Sequence, residues 1–177
     1  MPAGSTYEPI ATTTLSSDAS SVTFSSIPQT YTDLVVVASV CGYYAGGTWI
    51  ECGIRVGNGS IDTGSNYTQV MVAYDTPRSS LQTTTYARFW NAATPTNAGW
   101  FSPLIVHIQN YSNTTTRKPF YTRFNAYQGA APSVANNGNA TSLWNSTSAI
   151  NTVLVGNFNG TNFYSGSTFT LYGIAAA

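Results

Sequence analysis

Apolar and polar residues alternate with a period of two along several stretches of this chain. Ile50, Cys52, Ile54 and Val56 share one side, with Trp49, Glu51 and Arg55 on the other. Leu104, Val106 and Ile108 oppose Ile105, His107 and Gln109. Phe120, Thr122 and Phe124 oppose Tyr121, Arg123 and Asn125. Successive side chains of a strand point to opposite faces, so these runs read as antiparallel sheets buried on one side. Strand signals recur about every ten residues. They lie near Ile10–Leu15, Ser21–Phe24, Asp33–Cys41, Trp49–Val56, Tyr67–Tyr74, Thr83–Trp90, Phe101–Asn110, Phe120–Tyr127, Ile150–Val155 and Thr168–Ile174. Gly, Asn, Ser and Pro clusters separate them, and no window carries a helical period.

The run Leu34–Val40 is apolar on both faces. It predicts either a central strand covered on both sides or a strand whose outer face meets another subunit. Leu34, Val36 and Val37 are expected in the core. The stretch Gln128–Thr141, with Pro, Gly and three Asn, reads as a long loop. Cys41 and Cys52 sit symmetrically about Gly46-Gly47, which reads as a hairpin tip and would bring them close. A reducing cytosol argues against a bridge, and two small apolar fillers are the favoured reading. About eight to ten strands in two sheets predict an all-β protein, a jelly-roll-like antiparallel β-sandwich. An immunoglobulin-like sandwich is second choice, since the Cys–Trp–Cys framework is absent. The whole of residues 1–177 is expected as one domain, with residues 1–9 an extended N-terminal arm.

Composition narrows the class of function. Only 7% of residues are charged and 14% are aromatic, with six basic and six acidic side chains. Ser, Thr and Asn supply the polarity instead, which suits pleated surfaces better than helices. The arginines at 55, 78, 88, 117 and 123 are dispersed, so no basic patch exists for nucleic acid. Met1–Ser5 has neither the basic nor the apolar part of a secretory signal, and no apolar run would span a bilayer. Strands this poor in charge leave their edges weakly guarded and predict an assembled state. The opposing reading has Pro9, Pro28, Pro103 and Pro119 guarding the edges of a monomer.

Catalytic chemistry finds little support. His107 is the only histidine, no G-x-S-x-G elbow surrounds a serine, and His107 reads as a hydrogen-bonding side chain on a sheet. Of the six acids, Glu8, Asp18, Asp33, Asp62 and Asp75 lie mostly at turns or strand starts. Glu51 is mid-strand and is assigned to Arg55 as its ion partner. One His and two Cys make no zinc set, and Asp62–Asn66 reads as an Asx-rich turn, not a calcium loop. No cofactor is implied. Asn58, Asn66, Asn110, Asn113, Asn139, Asn145 and Asn159 open N-x-S/T triplets, which so Asn- and Thr-rich a chain produces by composition. Contact with a partner therefore falls to the aromatics. Tyr43, Tyr44, Trp49, Trp90, Trp100 and Trp144 are the candidates for a protein interface or a stacked sugar, with core packing as the alternative.

Several blocks carry a resemblance. Thr14–Val37 (TLSSDASSVTFSSIPQTYTDLVVV) resembles the opening of virion structural proteins of tailed phages, especially cyanophages. Asp62–Tyr67 (DTGSNY), Ile108–Thr116 (IQNYSNTTT) and Ser165–Ile174 (SGSTFTLYGI) are similar to later blocks of that family. The resemblance implies a non-enzymatic virion surface protein made in the host cytoplasm. The expected role is capsid decoration or cement, as a free-standing homotrimeric subunit bound to the major capsid protein. A tail-fibre or receptor-binding module that holds host glycan is the alternative.

Overall fold

The computed structural model describes residues 6–42, 49–73, 76–92, 101–128 and 134–175. Thirteen strands run among them: β1 (Tyr7–Thr14), β2 (Ser21–Phe24), β3 (Asp33–Val40), β4 (Trp49–Asn58), β5 (Ser60–Ile61), β6 (Tyr67–Ala73), β7 (Thr76–Thr84), β8 (Ala87–Ala92), β9 (Ser102–Ile108), β10 (Lys118–Gln128), β11 (Val134–Trp144), β12 (Thr152–Asn157) and β13 (Thr168–Ile174). Eight form one sheet in the order β1-β13-β3-β9-β10-β11-β6-β7, and β2-β12-β4-β5 form the other, with β8 also on β4. Each of these pairings is antiparallel. The protein is an antiparallel β-sandwich, an arrangement compatible with a jelly roll.

The core fills the space between the sheets. Leu34, Val36 and Val40 of β3, Leu104, Val106 and Ile108 of β9, and Phe169 and Leu171 of β13 come from one side. Ile50, Cys52, Ile54 and Val56 of β4, with Val153 and Val155 of β12, come from the other. The period-two pattern thus sorts residues inward as expected. The run Leu34–Val40 is central, between β13 and β9. Its outer face divides: Val35 is buried at 4% exposure, while Val37, expected in the core, is 40% exposed.

Four other expectations are corrected. Cys41 and Cys52 do not face each other across a hairpin: Cys41 follows β3 in the large sheet, Cys52 lies in β4 of the small one, and both are buried. Residues 43–48, the supposed tip, lie outside the described residues. Val134–Trp144, read as mostly loop, is an eleven-residue strand paired along its length with β10. Its inward position 138 needs a glycine, because the Phe124 ring lies where a side chain there would go. The Asn residues that suggest a loop, 137 and 139, are on the exposed side. Thr83–Trp90, read as one strand, is the end of β7 and most of β8, broken at Thr85-Tyr86. The supposed arm is, from Tyr7 on, an edge strand: Tyr7, Glu8 and Pro9 pair with Ile174, Gly173 and Tyr172.

Proline placement bears on the edges. Pro9 is on edge strand β1, beside a bulge before Ala11, a combination that blunts further pairing. Pro103 and Pro119 guard no edge, since β9 and β10 lie inside the eight-stranded sheet.

Candidate contact surface

Strand register lines up the outer face of the large sheet in transverse rows. One row reads Thr12, Thr170, Val37, Ile105, Arg123, Asn139 and Val72. The next reads Pro9, Tyr172, Val35, His107, Tyr121, Thr141 and Val70. Val37 and Ile105 are each 40% exposed, Tyr121 43%, Val70 47% and Val72 51%. These five side chains therefore lie on one surface, with Arg123, Asn139 and Thr141 between them. Tyr7, at the corner, is 56% exposed and meets Tyr172 edge-on at 6.2 Å.

Polar groups on this face are mostly tied to each other. Thr12 pairs with Thr170 and Thr14 with Thr168, hydroxyl to hydroxyl at 3.1 Å. Tyr121 donates to Asn139 Oδ1 at 3.1 Å. His107 Nε2 lies 2.9 Å from Asp33 Oδ2, and Asp33 Oδ1 accepts the Asn110 amide at 2.8 Å. Among the described residues His107 has Asp33 and no serine as its side-chain partner, so no triad forms there. Arg123 stands out. The ion pairs among the described residues are Glu51–Arg88 and Asp33–His107, and Arg123 is in neither. Clefts of about 450 Å³ and 250 Å³ flank it, reaching Val72 and Asn139 on one side and Pro103 and Ile105 on the other.

The small sheet carries a tighter cluster on its own outer face. Glu51 pairs with Arg88 at 3.0 Å and not with Arg55, the partner its spacing suggests. Register decides this: Arg88 lies opposite Gly53, two residues along from Glu51 and so on the same face of the neighbouring strand. The Tyr86 hydroxyl also donates to Glu51 Oε1. Arg55 turns away, donating to the Thr85 carbonyl at 2.9 Å and sitting 4.3 Å from the Phe158 ring centre. Tyr86 and Phe158 stack at 4.2 Å and 23°. Gly53 makes this possible, since a side chain there would collide with the Tyr86 ring. Burial pushes the Tyr86 phenol well up, and the hydrogen bond to Glu51 and that carboxylate's charge add to it. The sequence signal for this cluster is a glycine inside a strand, the mark of close approach by another group.

The aromatic candidates separate. Trp144 is buried at 3% exposure, and its indole N–H donates to Asp62 Oδ2 at 2.7 Å, so within this chain it packs the core. Trp49 and Trp90 sit in the paired strands β4 and β8, but their side chains lie outside the described residues, as do Tyr43, Tyr44 and Trp100. The apolar side chains of the outer face were not candidates, because a Val or Ile at an outward strand position carries no chemical signature. Among the described residues no three His, Cys, Asp or Glu side chains gather as a metal site. Comparison with protein-family models, with curated proteins and with solved structures gives no match.

Proposed function

We propose that this protein works by contact and without catalysis, as a virion surface subunit that decorates and cements a phage capsid. The observation that carries the reading is the shared exposure of Val37, Ile105, Val70, Val72 and Tyr121 on one sheet face. An eight-strand face about 34 Å wide and about 23 Å along the strands offers about 800 Å², one partner's share of a standard interface. Burying scattered Val and Ile side chains there supplies attraction without direction, and the Thr and Asn between them supply register. The partner in this reading is the major capsid protein, and the subunit acts as a homotrimer on the outer shell. It bridges neighbouring capsid subunits and resists the pressure of packaged DNA.

Attachment of this kind depends little on salt, because the face holds few charges to screen. The test is stoichiometric binding of the purified protein to isolated capsids lacking it, with electron microscopy locating the density. The expected result is occupancy of the outer shell, higher capsid heat resistance, and loss of both in Ile105→Asp. Density on the tail, or no binding to capsids, overturns the reading.

A further inference from the structure

The cluster on the small sheet opens into a cleft of about 290 Å³, lined by Glu51, Thr83, Thr84, Thr85, Tyr86 and Arg88. We propose that this cleft binds a single ring of a neutral sugar. Its polar groups are held in place before any ligand arrives. Arg88 and Tyr86 each donate to one oxygen of the Glu51 carboxylate, and each oxygen keeps a lone pair for another donor. The Glu51 and Arg88 side chains remain 19% exposed, so they are reachable. Thr85 Oγ1 accepts from Arg55 at 3.2 Å and keeps its own proton for a ligand oxygen. Thr84 Oγ1 donates to the Tyr86 carbonyl at 2.9 Å, fixing the turn.

Two further features set this cleft apart from an ordinary surface ion pair. Thr83 has a φ of 56°, a left-handed conformation that β-branched residues rarely adopt and that gathers at ligand sites. The Tyr86 ring is braced from behind by Phe158, with Arg55 against both rings. The wall is therefore rigid as well as polar.

Charge selects the ligand class. Glu51 and Arg88 cancel as a pair, so a simple anion meets the carboxylate and a simple cation meets the guanidinium. Neighbouring sugar hydroxyls suit both needs, one donating to Glu51 and one accepting from Thr85. The Tyr86 ring and the threonine methyls offer an apolar wall for the C–H side of the ring. The volume is just under the roughly 300–1,000 Å³ of drug-sized sites, which favours one ring over a longer chain. This site stands apart from the docking reading, because it lies where the end of β7 meets β4 and β8 and none of its lining residues is in the rows of the outer face.

The test is titration of ¹⁵N-labelled full-length protein with methyl glycosides of glucose, galactose and mannose, following backbone amide signals. Saturable shifts at Glu51 and Thr83–Arg88 with at least one glycoside are expected. Glu51→Gln and Thr85→Val should each weaken binding about tenfold, and Thr85→Ser should restore it. Ile105→Asp, which is no part of the cleft, should bind sugar as the parent does. The Thr85 pair keeps the test decisive if Glu51→Gln perturbs the fold. Absence of saturable shifts with all three glycosides overturns the proposal. So do shifts confined to other residues, equal binding by Glu51→Gln and Thr85→Val, or saturation by acetate or methylammonium alone.

Discussion

Asp62 accepts the indole N–H of Trp144 at 2.7 Å, tying the turn after β5 to the end of β11. The same carboxylate takes the Gly64 amide at 2.8 Å and both its oxygens face the Asn66 side-chain amide. One acidic side chain thus closes a tight turn and anchors a buried indole. Asp62→Ala should cost about 1–3 kcal/mol, because the indole N–H loses its partner. Denaturant unfolding of the variant measures it. Burial alone would push the Asp62 carboxyl up, but the bonds from Trp144, Asn66 and Gly64, with the charge of Arg55, hold it below its ordinary value. A depressed carboxyl stabilises the fold above its unfolded pKa, near about 3.9, and loses that contribution as pH falls through the folded value. The stability gap between the parent and Asp62→Asn should therefore be largest near neutrality and shrink in acid.

Much of this architecture is visible in the alternation of the chain. Ser21–Phe24 and Thr168–Ile174 are strands at their predicted bounds, and the inward sets of β4, β9 and β10 match their buried residues. What escapes is non-local. Nothing near Cys41 shows that the chain leaves one sheet for the other before Cys52. Nothing near Glu51 shows that Arg88, 37 residues away, stands closer than Arg55. β11 is hidden for a different reason: Asn137, Gly138 and Asn139 look like a turn until Phe124 explains the glycine and solvent explains the amides. The contact face is legible only as the outer half of an alternation, since its meaning lies in side chains from four strands meeting across register.

The single lysine of the chain is buried. Lys118 is 0% exposed, and its ammonium donates to the Thr116 carbonyl at 2.6 Å and the Thr147 carbonyl at 3.1 Å. An acylating reagent should leave Lys118 unmodified in the native protein and modify it in denaturant, as mass spectrometry of the peptide would show. Burial lowers its pKa. Between the folded value and the unfolded one near about 10.4, the unfolded chain binds the extra proton, so stability rises with pH across that interval. Lys118→Met should abolish that rise.

Gly53 decides whether the outer cluster of the small sheet can form. Its neighbours across the strand are the Tyr86 ring and the Ala87 carbonyl, the latter 2.9 Å from where a Cβ would stand. Replacing a strand glycine by alanine ordinarily helps slightly. Here the carbonyl is backbone and cannot yield, so Gly53→Ala should cost about 1–3 kcal/mol. The aromatic region of the spectrum should report loss of the Tyr86–Phe158 stack, while the β-sheet signal remains.

Val36 and Val37 are adjacent, similar in kind, and opposite in role. Val36 is 0% exposed between the sheets, whereas Val37 is 40% exposed in the row with Ile105 and Arg123. A carboxylate at 36 enters the apolar core with no partner. Val36→Asp should therefore cost at least about 4 kcal/mol, enough to unfold a marginal domain. A carboxylate at 37 stays in water and gives up only strand propensity and a little packing, so Val37→Asp should cost about 1 kcal/mol or less. Binding to a larger assembly should show a different split. Val37→Asp, still folded, should lose attachment if the row through Val37 is the docking surface. Thermal melts of both variants, followed by co-sedimentation of Val37→Asp with capsids, separate the two faces of one strand.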